Sequence, residues 1–217
     1  MEGSRGLGDV YKRQPINLGS MNKMFTGIAI AQLVAAGKLS YTDTVGQHLP
    51  DYPQALVRDK VTIHQLLTHT SGMGSYWNDA YLANKETLAE LSDFAQLFVE
   101  QQPEFEPGQE FHYSNSGPVI LGLIVERLKG LSYYEYVRRN IYQKANMSNS
   151  DHYAKDDPKI AHGYIQTDQG WQDNYADLGR IGSPAGGGYA SANDLMNFAQ
   201  ALYANQLLDV AAREEML

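Results

Sequence analysis

The sequence contains no cysteine, which excludes disulfides, thiolate metal sites and a cysteine nucleophile. It leaves the compartment open, because many exported proteins also lack cysteine. Positive charge is scarce, since 17 lysine and arginine residues stand against 25 aspartate and glutamate residues and the net charge is −8. A polyanionic partner such as nucleic acid is therefore not expected. The 217 residues are 43% hydrophobic, enough for a sizeable globular core.

The N-terminal residues contain no apolar segment of signal-peptide length, and no membrane span occurs later in the sequence. Its first residues, MEGSRGLGDVYKRQ, are basic and glycine-rich and carry the pattern of neither a helix nor a strand. We interpret residues 1–14 as a non-native or disordered leader and residues 15–217 as the folded domain. With such a leader, the missing signal peptide says nothing about export.

The segment around which the chain is organised is PINLGSMNKMFTGIAIAQLVAAG, residues 15–37. Its nearly continuous apolar character predicts a helix buried between two layers and ending at Gly37. Ser20 and Lys23 lie at positions i and i+3, so their side chains leave the same face about 5–6 Å apart. Burial lowers the pKa of a lysine, and the positive end of a helix stabilises an oxyanion. This pattern is typical of a nucleophile with its own base, although Ser-x-x-Lys alone is a weak motif.

The rest of the chain predicts further helices and one region of short strands. A surface loop is predicted over residues 38–53, because turn formers dominate it. Helices are predicted from Thr62, with Gln65 completing a capping box, over residues 85–102, over residues 118–130, from Ser132 and from Ser191. Residues 148–185 are polar and irregular and indicate one or two short hairpin strands.

Several polar residues invite a chemical interpretation that their spacing does not support. His64 and His69 are five positions apart, which separates them by about 140° on a helix, so we interpret them as structural histidines. The polar region has no metal-ligand spacing among His152, Asp156, Asp157, His162 and Asp168. We therefore predict neither a metal nor a cofactor.

A third group for proton transfer is sought among three Tyr-x-Asn sequences, which begin at Tyr76, Tyr113 and Tyr203. A tyrosine beside a lysine ammonium can shuttle a proton, because the cation lowers its pKa. Tyr113 ends an extended piece in a glycine-bounded turn that leads into an apolar helix. Such a turn can aim a phenol and the amide of Asn115 into a cleft. The other two occurrences lie in an open loop and within a predicted helix.

Four segments resemble successive signatures of the serine β-lactamase-related family: GSMNKMFTGIAIAQLVAAGKLS, VTIHQLLTHTSGM, PGQEFHYSNSGPVILGLIVE and GSPAGGGYASANDLMNFAQAL. The family contains class C β-lactamases, D-alanyl-D-alanine carboxypeptidases, D-aminopeptidases and related esterases. The resemblance extends over about residues 16–208. It implies an α+β, β-lactamase/transpeptidase-like fold and a serine hydrolase without a cofactor.

The resemblance also implies a role for each site residue. Ser20 is expected to be the acylated nucleophile, and its backbone amide to form half of the oxyanion hole. Lys23 is expected to be its proton partner, and Tyr113 to act as base for the attack and acid for the leaving group. Asn115 is expected to hydrogen-bond the amide or ester side of the substrate. The LLTHTSG segment, which contains His69, resembles a structural loop, so it receives no chemical role.

The third motif of the family, Lys-Thr-Gly or His-x-Gly on a late strand, does not occur in the 217 residues. We therefore expect a mostly helical fragment without most strands of the antiparallel sheet, inactive or nearly so as this chain. One lost oxyanion donor alone costs a factor of about 10²–10³ in rate.

Substrate and function class are left with alternatives. A D-amino-acid peptide or a small ester is favoured over a dedicated β-lactam. A non-catalytic peptidoglycan- or partner-binding module of the same fold competes with the hydrolase. A plain helical scaffold with accidental motifs would require Ser20 and Tyr113 to lie far apart. The family suggests a periplasmic or secreted location, and the oligomeric state stays open.

Overall fold

A computed structural model describes residues 12–216. Most of the expected leader, residues 1–11, lies outside the described residues. The helices are α1 (Lys23–Ala35), α2 (Val45–His48), α3 (Ala55–Lys60), α4 (Ile63–Leu67), α5 (Asp79–Asn84), α6 (Leu91–Gln96), α7 (Ser116–Lys129), α8 (Tyr133–Val137), α9 (Ala192–Tyr203) and α10 (Val210–Met216). Short 3₁₀ turns span Gly19–Asn22 and Tyr175–Asp177, and a π-helical turn, Arg138–Tyr142, continues α8.

The strands form two small antiparallel pairs. β1 (Ile16–Asn17) pairs with β4 (Tyr189–Ala190), with Ile16 opposite Ala190. β2 (Tyr164–Thr167) and β3 (Gly170–Asp173) form the short hairpin predicted within residues 148–185. The first pair matters for the site, because it fixes the chain just before Ser20 against the loop just before α9.

Helix α1 lies in the centre of the core and contacts α7, α8 and α10. Most of its side chains are apolar, and four large ones are almost completely buried: Phe25, Ile28, Ile30 and Leu33. Each such side chain contributes roughly 1.5–3 kcal/mol to stability. Thr26 is also buried in α1, and its hydroxyl is bonded to the Tyr133 hydroxyl at 2.7 Å and donates to the Pro184 carbonyl at 2.8 Å.

Most predicted helix ends are confirmed. Thr62 and Gln65 form the capping box of α4. The side chains of Ser132 and Ser191 accept backbone N–H groups at the starts of α8 and α9. Gly130 ends α7 with φ 64°, and Gly37 follows α1 with φ 64°. These are local signals, and short-range chemistry is enough to set them.

Two predictions about regular structure are wrong. The helix expected over residues 85–102 is only the six-residue α6, because Asp93 accepts the backbone N–H groups of Ala89 and Glu90 and so starts the helix late. The loop expected over residues 38–53 contains α2, which begins at a capping box of Thr44 and Gln47. Within residues 12–216, no helix combines the length and apolarity needed to cross a membrane.

His152 is a buried histidine directly beneath the turn that carries Ser20. Its Nε2 lies 3.0 Å from the Asn22 amide nitrogen, and its Nδ1 has no hydrogen-bond partner among the described residues. The ring of Tyr134 packs against it at 4.9 Å. Burial lowers the pKa of His152 to about 4, against a raising effect of Asp151 and with a smaller lowering effect of Arg138.

We expect this histidine to weaken the fold in acid. Between about pH 6.5 and about pH 4 the unfolded chain binds a proton that the native protein does not, so stability is complete above that range and is lost as the pH falls through it. The loss is about 1.4 kcal/mol per pH unit, or about 3 kcal/mol in total. His152→Gln keeps an acceptor for Asn22. Between about pH 4 and about pH 6.5, its free energy of unfolding in urea should depend on pH less steeply than that of wild type, by about 1.4 kcal/mol per pH unit. If the free energy of unfolding depends on pH equally steeply in both proteins, His152 is not the group that weakens the fold in acid.

Candidate active site

Ser20 lies in the 3₁₀ turn Gly19–Asn22, immediately before α1. The sequence placed it at the start of the helix, whereas α1 begins at Lys23. The tighter turn still leaves the hydroxyl of Ser20 exposed and brings it to the side chain of Lys23. N–H groups in the first turn of a helix have no partner within it, so the Ser20 amide is suited to bind an oxyanion.

The Lys23 ammonium is surrounded by oxygen acceptors. Its Nζ donates to Ser20 Oγ at 3.3 Å, to Asn115 Oδ1 at 2.9 Å and to the Ala185 carbonyl at 2.6 Å. Three acceptors match the three N–H groups of an ammonium. Burial lowers the pKa of Lys23, while Tyr113 acts in the opposite direction. The lysine is therefore held in place by hydrogen bonds but releases its proton more easily than a lysine in water.

Tyr113 presents its hydroxyl to the same serine. The hydroxyl donates to Ser20 Oγ at 2.7 Å, and Lys23 Nζ lies 4.6 Å from the ring centroid. Partial burial raises the pKa of Tyr113, but hydrogen-bonding interactions with Lys23 and Ser20 and the charge of Lys23 outweigh it, so the pKa lies below its ordinary value. Once ionised, a phenol in this position can take a proton from Ser20 and return it.

Asn115 links this group to the loop that precedes α5. Its Oδ1 accepts from Lys23, and its Nδ2 donates to Ser75 Oγ at 3.1 Å. The structure thus brings together the residues singled out by sequence, Ser20, Lys23, Tyr113 and Asn115. The separation that a scaffold with accidental motifs requires is not found, because Ser20 Oγ and the Tyr113 oxygen are in hydrogen-bond contact.

The glycine loop before α9 packs against the backbone of the Ser20 turn. The Gly187 N–H donates to the Gly19 carbonyl at 3.3 Å, and a Cβ added at Gly186 would lie 3.0 Å from that same oxygen. A Cβ at Gly188 would lie 2.2 Å from the Asn22 side chain. Glycines are needed here because two backbones approach each other closely.

A cavity of about 340 Å³ opens beside Ser20 and Asn115. Its walls are largely aromatic and aliphatic, and they include Tyr76, Trp77, Tyr81, Phe94, Leu178 and Ile181. The hydroxyl of Tyr76, from the Tyr-x-Asn sequence in the open loop, is bonded to Ser183 Oγ at 2.8 Å within this wall. An apolar cleft with a few polar groups at one end is the usual form of a small-molecule site.

Sequence reasoning missed the contribution of His69. It follows the end of α4 with φ 59°, and its ring is stacked on that of Tyr113 at 4.6 Å. Its Nδ1 accepts the Ser114 N–H at 3.1 Å. No periodicity in the sequence connects His69 to Tyr113, because the contact depends on how two separate loops pack. Burial lowers the pKa of His69, and the charge of Lys23 lowers it further.

The two histidines of the polar region, His152 and His162, contact other side chains. His162 pairs with Asp173 on β3, with its Nδ1 at 2.7 Å from the carboxylate, and His152 is bonded to Asn22. Among residues 12–216, no group of three or more histidine, aspartate or glutamate side chains has an arrangement suited to a metal ion.

Together, the serine, lysine and tyrosine beside an apolar cleft form an arrangement that is typical of serine acyl-transfer sites. Comparison with known proteins agrees. A model of the family described as Beta-lactamase matches residues 6–217. The chain therefore belongs to the Beta-lactamase family, and the expected α+β, β-lactamase/transpeptidase-like fold is confirmed.

Individual relatives cover most of this chain. Penicillin-binding protein 4* of Bacillus subtilis (strain 168) is 29% identical over 97% of this chain and 51% of its own length. The crystal structure of a penicillin binding protein from Bacillus halodurans is 38% identical, with a TM-score of 0.82 over 93% of this chain and 64% of that one. A D-stereospecific amidohydrolase from Streptomyces sp. is 25% identical, with a TM-score of 0.79 over 94% and 65%. The chain thus spans less than two thirds of these relatives.

Proposed function

We propose that the protein is a serine hydrolase that acts on an amide or ester through an acyl-enzyme on Ser20. The observation that carries the proposal is the hydrogen bond of 2.7 Å between the Tyr113 hydroxyl and Ser20 Oγ, beside the Lys23 ammonium. A nucleophile, a proton acceptor and a cation that favours the ionised acceptor are then in mutual contact. Membership of the Beta-lactamase family supports the same chemistry.

The proposed reaction has two steps. In the first, the Tyr113 phenolate, stabilised by Lys23, takes the proton of Ser20 as Oγ bonds to the carbonyl carbon, and the Ser20 amide binds the resulting oxyanion. Tyr113 then passes the proton to the leaving nitrogen or oxygen, whose bond to carbon breaks. In the second step, water loses a proton to Tyr113 as its oxygen bonds to the acyl carbon. The bond between that carbon and Ser20 Oγ then breaks, the carboxylic acid is released, and Tyr113 returns the proton to Ser20 Oγ. Asn115 is positioned to hydrogen-bond the amide or ester side of the substrate.

The largely apolar lining of the cavity favours a substrate whose acyl group carries an apolar side chain. An amide or ester carbonyl held at Ser20 leaves its acyl substituent next to walls that include Trp77 and Tyr81. The name of one relative, a D-stereospecific amidohydrolase, supports a D-amino-acid peptide or amide over a dedicated β-lactam. Small esters remain convenient substrates for measurement.

A comparison of acyl groups checks this use of the cavity. We expect p-nitrophenyl phenylacetate to acylate the protein about 10-fold faster than p-nitrophenyl acetate, after correction for the reactivity of each ester in water, because the phenyl ring gains apolar contacts. Trp77→Ala should reduce this preference and leave the acetate rate unchanged, since Trp77 is 61% exposed and contributes little to the core. Equal corrected rates for the two esters would place the acyl group outside the cavity.

We further propose that the 217 residues are the helical region of a larger domain that supplies the third motif. Support comes from the relatives, of which the chain covers 51% and 64%. Without the third motif the chain lacks one oxyanion donor, and such a donor is worth a factor of about 10²–10³ in rate. We therefore expect slow acylation and very slow turnover by this chain.

The experiment that tests the function is a burst measurement with a p-nitrophenyl ester in excess over the 217-residue chain. The expected result is release of one equivalent of p-nitrophenol per chain, followed by almost no further release. If no covalent adduct forms even after prolonged incubation, the hydrolase proposal falls. The non-catalytic binding module of the same fold would then be preferred.

A further inference from the structure

His69 contacts three consecutive residues of the loop that carries Tyr113. The His112 N–H donates to the His69 carbonyl at 2.9 Å. The ring of His69 lies on the ring of Tyr113, with centroids 4.6 Å apart and planes 28° from parallel. The Ser114 N–H donates to His69 Nδ1 at 3.1 Å. The backbone on either side of Tyr113 and the phenol ring itself are therefore all held by one residue.

The backbone of His69 shows that this contact is maintained in a conformation that side chains rarely adopt. Its φ of 59° lies in the left-handed region, which only a few per cent of non-glycine residues adopt, with asparagine, aspartate and histidine enriched among them. Residues keep such conformations when their surroundings over-determine them, and this happens most often at functional sites. Histidine is the side chain that offers a flat ring for stacking and, at Nδ1, an acceptor for a neighbouring N–H.

The hydrogen bonds also define the protonation state of His69. Because Nδ1 accepts the Ser114 N–H, the ring proton is on Nε2 and the imidazole is neutral. The charged and titratable groups nearby are Lys23, whose charge acts on the ring, Tyr113, which stacks on it, and the side chains of His112 and Glu104, which contact each other in the adjoining loops. A positive charge on this ring would be repelled by the Lys23 ammonium, so the neutral imidazole is the form that suits the site.

We propose that His69 is a positioning residue that fixes the Tyr113 phenol on Ser20 Oγ and beside the Lys23 charge. Holding the phenol there keeps Tyr113 more acidic than a free tyrosine. Its effect on reaction rate rests on the proposed function, whereas its effect on the ionisation of Tyr113 does not. The two can therefore fail separately.

Two substitutions separate the stacked ring from the backbone contacts. His69→Asn tolerates the left-handed backbone and keeps an acceptor near the position of Nδ1, but it removes the ring. His69→Phe keeps a ring against Tyr113 and loses the acceptor, in a backbone conformation that is unfavourable for phenylalanine. Asparagine should therefore preserve thermal stability, and phenylalanine should lower it.

We expect the rate and the ionisation of Tyr113 to follow the ring and not the stability. His69→Asn should slow acylation of Ser20 about 10²-fold, the cost typical of a reacting group misplaced by about 1 Å. The pKa of Tyr113 should move up towards its ordinary value, so the rising limb of the pH–rate profile moves to higher pH. His69→Phe should keep most of the wild-type rate and a low pKa at Tyr113 despite a lower melting temperature.

Tyr113 ionisation is read from tyrosinate absorbance as the pH rises, with the matching Tyr113→Phe protein subtracted in each background. His64→Asn is the matched control, because His64 is an exposed histidine on α4. It should change neither rate nor titration. If His69→Asn acylates at the wild-type rate with an unshifted titration, the inference is overturned. It is also overturned if His69→Phe loses more rate than His69→Asn, because activity would then follow stability.

The readouts distinguish the inference from the proposed function. If the Tyr113 titration is shifted in His69→Asn and the wild-type chain forms no acyl adduct, the positioning role is upheld and the hydrolase is overturned. An adduct at Ser20 with no shift and no rate loss in His69→Asn upholds the hydrolase and overturns the positioning role.

Discussion

Ser20→Ala is expected to abolish covalent labelling by p-nitrophenyl esters and by a fluorescent penicillin. The substitution removes the proposed nucleophile, and it leaves Lys23 with its acceptors Asn115 Oδ1 and the Ala185 carbonyl. Ser20 is exposed, so its hydroxyl contributes little to the core and the variant should keep the wild-type melting temperature. The measurement is the mass of the intact chain after incubation with reagent.

The matched control for this variant is Ser92→Ala, which removes an exposed serine hydroxyl on α6. It should be labelled as fully as wild type. Undiminished labelling of Ser20→Ala would mean that another residue is acylated, and the site described above would not be the reactive one.

The second large effect is expected for Tyr113→Phe. This variant keeps the ring, its stacking on His69 and its contact with Lys23, and loses only the hydroxyl that lies 2.7 Å from Ser20 Oγ. Loss of a general acid–base group lowers a rate by a factor of about 10²–10⁴, so acylation should fall by that factor. Single-turnover release of p-nitrophenol measures the effect.

The pH dependence of the same reaction provides a second readout. In wild type the rate should rise as Tyr113 loses its proton and fall as Lys23 loses its own, with both pKa values below their ordinary ones. The rising limb should disappear in Tyr113→Phe. Tyr203→Phe is the control, because Tyr203 begins another Tyr-x-Asn sequence and is 68% exposed on α9. A Tyr113→Phe rate within a few-fold of wild type would remove the phenol from the mechanism.

The parts of the molecule that were predictable from sequence depend on local chemistry. Capping side chains at Thr62, Ser132 and Ser191 set helix starts because each bonds to the backbone within three residues. The choice of Tyr113 over the other Tyr-x-Asn sequences rested on its turn, which is also local. The resemblance to family signatures then predicted that Ser20 and Lys23 in one segment and Tyr113 and Asn115 in another belong to one site.

The parts that were not predictable depend on packing between distant segments. The apolar spacing in residues 85–102 is helical, yet Asp93 starts α6 late. His69 looked structural because its relation to Tyr113 exists only once two loops meet. The bond between Asn22 and His152 beneath the Ser20 turn joins residues 130 positions apart, and no spacing in the sequence indicates it.

The central claim is that Ser20 Oγ is the nucleophile activated by Tyr113 and Lys23. Peptide mapping by mass spectrometry of the chain after reaction with p-nitrophenyl phenylacetate tests it most directly. The account predicts one phenylacetyl group per chain, attached to Ser20. A phenylacetyl group on Lys23 or elsewhere, with the peptide that contains Ser20 unmodified at that serine, would contradict it.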